Sequence, residues 1–578
     1  MARIPGWLAS ALLAGVVFLP GLGSVGLFDP WEPHYAEVSR QMLLRADWVH
    51  PWWREAGFFS KPPLLLWGGA AGLAIAGEGA VEWGLRLPVA LLAVMGVSVS
   101  AEVVARLASR RAGWLAAVAL STAPLLALFA RQAVPDAPLV ALSTAGGLAF
   151  AVALLDDRAG PGWARAGWVL LGFATLAKGP VGFALPGAAF LSWFVVTGDW
   201  RRLGRLGFVE RVGNVPVPVG PLVFLAIAVP WYAVMAAWPV RDDSGWTFLQ
   251  RFWLYDHLRR LVAGAHVPTP GGGWLAYLGW LAVGTFPWVG ALPGGIGEAL
   301  RTRGQPRDAR GGLALLCGLW AAAGYLLVGF TATRYPHYVL PLVPPLLVLA
   351  ALFVDRLLDQ GLRPHAAAGI LGIAALAATG GWLARQPRLL TALFTYDPRR
   401  PWPTALVDPA PAIAAVAGLA LLGIAAAVLC RSARLAAGSL VVASLLSAAW
   451  ISWVHWPELA VHWTQREVFA AWKRVTPRPD EPLVAWLMNW RGETFYGRNR
   501  VREVVDPARM GEIAARPGRL WVVTEAERVP SLGSAVGPRK LLRVAGGVPG
   551  RYRLVELTDP PPPNEERPRD RPGEGAGP

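Results

Sequence analysis

Apolar residues run along this chain in blocks of about twenty, cut by short polar stretches in which arginine, proline and glycine are frequent. A bilayer core about 30 Å thick takes roughly 20 residues of α-helix, so each block reads as a membrane-spanning helix. Thirteen are expected, near 6–27, 85–105, 112–130, 136–155, 166–177, 179–197, 215–238, 272–295, 311–331, 336–354, 366–384, 410–430 and 435–455. A shorter apolar piece, 62–77, opens on Pro62-Pro63 and reads as interfacial or re-entrant. Past about 456 the pattern changes. Short β-like runs at 482–487, 519–524 and 551–557 predict strands, and helical spacing at 463–474 and 507–516 predicts helices. The expected fold class is therefore an all-α polytopic membrane protein over 1–455, followed by a small α/β domain over 456–558. A Pro/Glu/Arg tail at 559–578 reads as disordered.

Composition narrows the class. Of the 578 residues, 54% are hydrophobic and only 16% charged, whereas soluble proteins carry about a quarter charged residues. Cys317 and Cys430, the two cysteines, lie in apolar segments, so no disulfide framework is expected. The net charge of +16 comes without a dense basic tract, which argues against a nucleic-acid partner. Arginines are densest in the short connections, among them Arg106, Arg110, Arg111, Arg201, Arg202 and Arg205. By the positive-inside tendency these face the cytoplasm, with the N-terminus inside and the first 27 residues read as a retained span. The long connections 28–84, 239–271 and 385–409, and everything after 456, then fall outside.

In this arrangement the unusual polar residues gather on the outer side. Asp29, Glu32, His34, Glu37, Arg40 and Lys61 lie in the first long connection, with Arg131 and Asp136 at the next short turn. Lys178 follows, then Arg251, Asp256, His257, Arg259 and Arg260, and finally Arg334, His337 and Tyr338. Ionisable groups at membrane depth are costly and mark functional sites by default. Of the 54 basic residues only Lys61, Lys178, Lys473 and Lys540 are lysine, and Lys178 interrupts a long apolar stretch where neither capping nor solubility calls for it. Other readings remain open for the rest: Asp136 after Pro135 suits a helix N-cap, Lys61 a snorkelling interfacial lysine, and Asp29 and Glu32 solvated loop residues or caps.

Seven segments, in order, resemble one family. They are Leu27-Phe28-Asp29-Pro30-Trp31-Glu32-Pro33-His34-Tyr35-Ala36-Glu37; Phe59-Ser60-Lys61-Pro62-Pro63; Arg131 through Asp136-Ala137-Pro138; Ala177-Lys178-Gly179-Pro180; Pro230-Trp231-Tyr232; Phe252-Trp253 with His257 and Arg260; and Pro336-His337-Tyr338. Together they resemble the lipid-linked-sugar glycosyltransferases of the 4-amino-4-deoxy-L-arabinose transferase group, related to protein O-mannosyltransferases, over roughly 6–355. The resemblance implies the GT-C membrane fold and transfer of a sugar from a polyprenyl-phosphate donor to an envelope lipid, glycan or protein acceptor. It further implies a multi-pass protein of the inner (plasma) membrane, with the active site and C-terminal domain extracytoplasmic. Lys61, Lys178 and Arg260 would clamp the donor phosphate. Asp136, Glu32 and Asp29 are the catalytic candidates, and His34, Tyr35, Glu37, Arg131, His257, His337 and Tyr338 would contact substrate. The sequence departs from the family at Trp31, where relatives carry an aspartate, and at His34, where they carry an arginine. It departs again at Ser60, where relatives carry a glutamate linked to a divalent metal, so no metal ligand is assigned and a divalent metal stays open as the one cofactor considered. The alternatives are a flippase for a lipid-linked glycan and a non-catalytic membrane scaffold.

Overall fold

The computed structural model describes residues 4–262, 272–302, 305–392, 408–475, 481–488 and 490–560. The expected tail, the middle of the 385–409 connection and the end of the 239–271 connection lie largely outside these residues. The chain divides into two compact units, Met1–Val25 with His34–Ala460, and Gly26–Pro33 with Val461–Pro578.

The first unit is helical. Among the described residues eight helices are long and apolar enough to cross a membrane: Glu78–Leu107, Asp136–Leu155, Val219–Ala237, Ala309–Gly329, Pro336–Gln360, Arg363–Arg385, Ala410–Leu429 and Ala433–Trp463. Each coincides with one expected block. The other five blocks form shorter helices, because proline and glycine interrupt them. Thus 112–130 breaks at Pro124 into Arg110–Thr122 and Pro124–Phe129. The helix Gly162–Lys178 stops at Gly179, and Ala276–Thr285 stops before Phe286-Pro287. The piece beginning at Pro62 is a helix, Leu64–Ala76, of 13 residues, about 20 Å at the usual rise and short of a bilayer core. Asp136–Leu155 is buried at every residue, packed between Glu78–Leu107 and Gly162–Lys178. A helix apolar all round can be buried this way without losing a solvated face.

At the arginine-rich end of this unit, one buried carboxylate ties three helices together. Asp355 is fully buried and accepts from Ser109 Oγ (3.0 Å), Arg111 Nε (2.6 Å) and Arg310 Nη1 (2.6 Å). Arg310 and Arg356 also hold Glu298, at 3.0 and 2.9 Å. Removing one member of such a network leaves buried charge uncompensated, at about 3–5 kcal/mol. Asp355→Ala should therefore lower the thermal midpoint of the purified protein in detergent well below that of an exposed control, Asp359→Ala. Equal midpoints would show that the network contributes nothing.

The second unit carries a five-stranded mixed sheet, in the order Val501–Val504, Leu483–Trp486, Leu520–Glu525, Tyr552–Thr558, Leu541–Val544. The first three strands are parallel and the last two pair antiparallel. Parallel neighbours need crossovers, supplied by Gly492–Tyr496 and Pro507–Ala514. Val484, Trp486, Met510, Val522, Leu532 and Val555 build its core. Three strands and two helices coincide with the expected runs. Of the two edge strands, Leu541–Val544 is mostly exposed and Val501–Val504 only partly so, and both carry too weak an apolar alternation to read from sequence.

The segment 26–33 is threaded into this second unit. Leu27 N–H donates to Tyr496 Oη (2.8 Å) and Asp29 N–H to the Trp463 carbonyl (2.8 Å). A Cβ on Gly26 would sit 2.0 Å from Thr464 Oγ1, so only glycine lets the backbone pass.

Candidate functional site

In the first unit, residues from five separate segments converge at one end of the buried central helix. Asp136 is the first residue of that helix and Lys178 the last of Gly162–Lys178. The N-cap position is Pro135 and no side chain caps the helix, so capping does not account for Asp136. Its carboxylate instead accepts a short hydrogen bond from Lys178 Nζ, and His337 Nε2 stands 4.0 Å away. The Lys178 ammonium also lies 5.6 Å from the centroid of Tyr338, within cation–π range. Gly179 shapes the corner after Lys178. Its φ is +92°, and a Cβ there would lie 2.7 Å from His257 Nε2, so the turn and the approach of His257 both require glycine.

Arg260 follows a π-helical stretch, Leu249–Arg259, a geometry often found at functional sites. Its Nη2 donates to Asp256 Oδ1 (3.0 Å) and its Nη1 to Tyr338 Oη (3.4 Å). Arg251 Nε approaches the other Asp256 oxygen at 3.4 Å. Tyr335 lies against both His337 and Tyr338, with centroids 5.6 and 5.4 Å away. His257 packs on Phe252 and faces its carbonyl through Nδ1 at 2.6 Å. That contact makes Nδ1 the donor and leaves Nε2 as acceptor. Burial holds the imidazole below its ordinary pKa, and burial pushes the nearby Tyr35 phenol well above its own. Charges on Asp136, Asp256 and Arg260 all act on Tyr35.

Lys61 sits in the turn before Leu64–Ala76 and is 9% exposed. Its Nζ donates to the Ser60 carbonyl and to Ser60 Oγ, both at 2.9 Å. Among the described residues no carboxylate pairs with it, in contrast to Lys178 and Arg260. Burial is the main cause that pushes its ammonium down to about 7, with Asp256 and Asp136 pulling up and Arg260 and Lys178 pushing further down. An ammonium left buried with only neutral acceptors is costly, and an anion bound beside it would compensate it.

The remaining candidates make other contacts. Asp29 and Glu32 belong to the second unit. Asp29 Oδ1 accepts from Gly492 N–H (2.8 Å), and Oδ2 from Gln465 Nε2 (3.0 Å) and Tyr552 Oη (2.9 Å). Its acceptor capacity is largely spent inside that fold. Glu32 Oε2 accepts Phe28 N–H at 2.8 Å. Glu37 accepts from Arg40 and Gln41 on its own helix, and His34 packs edge-on against Trp53 and Phe58. Arg131 donates to the Val17 and Phe18 carbonyls at the end of the helix Gly6–Phe18, where burial and then neighbouring Arg86 lower it to about 10. Arg131 thus completes a helix end. Asp256 was visible in sequence four residues before Arg260, a spacing that pairs charges on one helical face, but no motif singled it out. Among the described residues no three His, Cys, Asp or Glu side chains converge, and the Ser60 hydroxyl is engaged by Lys61. That donor set does not suit a divalent cation.

Residues 60–232 match the dolichyl-phosphate-mannose-protein mannosyltransferase family. An undecaprenyl phosphate-alpha-4-amino-4-deoxy-L-arabinose arabinosyl transferase of Edwardsiella ictaluri is 29% identical over 66% of this chain and 65% of its own length. A second, from Pseudomonas fluorescens, is 31% identical over 61% of each chain. The chain thus spans less than two thirds of the length of these relatives. Among solved structures, ArnT from Cupriavidus metallidurans bound to undecaprenyl phosphate aligns over 96% of this chain and 98% of its own, with a TM-score of 0.70 and 24% identity. Its apo form aligns with a TM-score of 0.68. The chain therefore has the GT-C membrane fold over nearly its whole length, and its 60–232 segment carries the pattern of the mannosyltransferase family.

Proposed function

We propose that this protein is a membrane glycosyltransferase that moves a sugar from a polyprenyl-phosphate donor to an envelope acceptor, with chemistry centred on Lys61, Lys178, Arg260 and Asp136. The observation that carries this reading is the buried Lys61 ammonium, hydrogen-bonded among the described residues only to Ser60 and set beside two cations already neutralised by carboxylates. An anionic group is the missing complement. The likeness to arabinosyl transferases named for an undecaprenyl phosphate donor supports a phosphodiester in that role. In the reaction, an acceptor oxygen attacks the anomeric carbon and the bond from that carbon to the phosphate oxygen breaks. The leaving phosphate gains charge, and preorganised cations stabilise it. Asp136 orients the acceptor, or takes its proton if the acceptor is a hydroxyl. An acceptor that is itself a phosphate needs no strong base. The test is release of sugar from a synthetic polyprenyl-phosphate donor by purified protein; a flippase or scaffold would show none.

The state of Lys61 makes donor binding pH-dependent. A lysine held near 7 is charged below that pH and neutral above it, while a phosphodiester stays anionic throughout. Donor affinity should fall as pH rises from about 6 to 8, by up to about tenfold per unit where Lys61 carries the effect. Lys61→Arg, which keeps its charge, should flatten the profile; an unchanged slope would locate the titration elsewhere.

We place the reactive end and the 461–560 unit outside the cytoplasm, on the strength of arginine density at the opposite end. A fluorescent protein that matures only in the cytoplasm, fused at the C-terminus, should stay dark in a stably produced fusion. Bright fluorescence would reverse the orientation.

A further inference from the structure

At the arginine-rich end of the first unit, a cavity of about 470 Å³ opens between the helices Gly6–Phe18, Glu78–Leu107 and Arg110–Thr122, within the roughly 300–1,000 Å³ range of small-ligand sites. Small residues make the space. Gly6 and Gly113 line it, and the backbones are close enough that a Cβ on Gly113 would lie 2.6 Å from the Ala101 carbonyl. Three charges face it: Glu102, Arg106 and Arg110. Arg106 is held by Asp156 at 2.7 Å. Arg111, next in sequence, is turned away to Asp355 and Asp359. Glu102 and Arg110 have no hydrogen-bond or ion-pair partner among the described residues, although both line the same cavity. Trp114 lines it too and is 44% exposed, and Trp7 on the first helix is 52% exposed. Tryptophans in such positions sit at headgroup depth.

We propose that this cavity seats the headgroup of a zwitterionic phospholipid with a primary amine, its phosphate against Arg110 and its ammonium against Glu102. Basic pockets between membrane helices commonly take lipid headgroups, but an anionic headgroup alone would leave the Glu102 carboxylate facing the phosphate. An ethanolamine phosphodiester supplies both complements, and its N–H groups can donate to Glu102. A choline headgroup carries the same charges without those donors.

The test is lipid retention by the full-length protein in detergent, read by native mass spectrometry with dioleoyl phosphatidylethanolamine, phosphatidylcholine or phosphatidylglycerol. Phosphatidylethanolamine should be retained about tenfold more strongly than phosphatidylcholine. Glu102→Gln should remove that preference without weakening phosphatidylglycerol, and Arg110→Ala should weaken all three. Sugar transfer should be unchanged in both variants, since neither residue belongs to the transfer site. Soluble phosphoethanolamine competing as well as the lipid would show a free phosphoamine site instead and overturn the lipid assignment. Equal retention of ethanolamine and choline lipids by the unaltered protein would overturn the proposal without recourse to any variant.

Discussion

Lys61→Ala and Lys178→Ala should each cut turnover at least about tenfold at saturating donor, the scale of losing one preorganised electrostatic donor. Their effects on stability should differ. Lys61 has no carboxylate partner among the described residues and makes hydrogen bonds only to Ser60, so alanine there removes a buried charge and leaves none exposed to cost. Lys178 is the partner of Asp136, so alanine there leaves a buried carboxylate without its cation, a change on the order of 3–5 kcal/mol. Turnover and the detergent melting midpoint, measured together, separate the two roles. Near wild-type rates for both variants would remove the phosphate clamp from the mechanism.

The second large effect concerns the carboxylates. Asp136→Asn should lower turnover strongly with little change in apparent donor affinity, as expected of a group needed in the transition state. Asp29→Asn should lower activity less and act through the C-terminal unit. An amide nitrogen cannot accept, so one of the three donors now satisfied by Asp29, from Gly492, Gln465 and Tyr552, would lose its partner at about 1–3 kcal/mol. Limited proteolysis of the 461–560 region should quicken in Asp29→Asn and not in Asp136→Asn. If Asp29→Asn alone abolished activity while Asp136→Asn stayed active, the catalytic carboxylate would lie in the first connection.

Much of this molecule is local, and so it is legible in the chain. Eight of the thirteen expected spans are long helices, because a run of about twenty apolar residues has few other ways to satisfy its backbone in a membrane. Proline and glycine at 124, 179 and 287 shortened others, whereas the expected spans 112–130 and 272–295 ran through Pro124 and Pro287. Lys178 stood out because a lysine inside apolar sequence has no cheap explanation, and it lies against Asp136. What the chain alone did not decide is which polar residues share an environment. In sequence Asp29 reads as a catalytic candidate beside Asp136, and Glu37 and Arg131 read as substrate contacts. Only the packing shows Asp29 consumed by three donors over 430 residues away in the chain, Glu37 turned along its own helix, and Arg131 spent on helix-end carbonyls. Asp256 gained its place through Arg260 and Arg251. A side chain's chemistry depends on which partners the folded backbone brings within 3 Å of it, and sequence spacing sets those partners only within a helical turn.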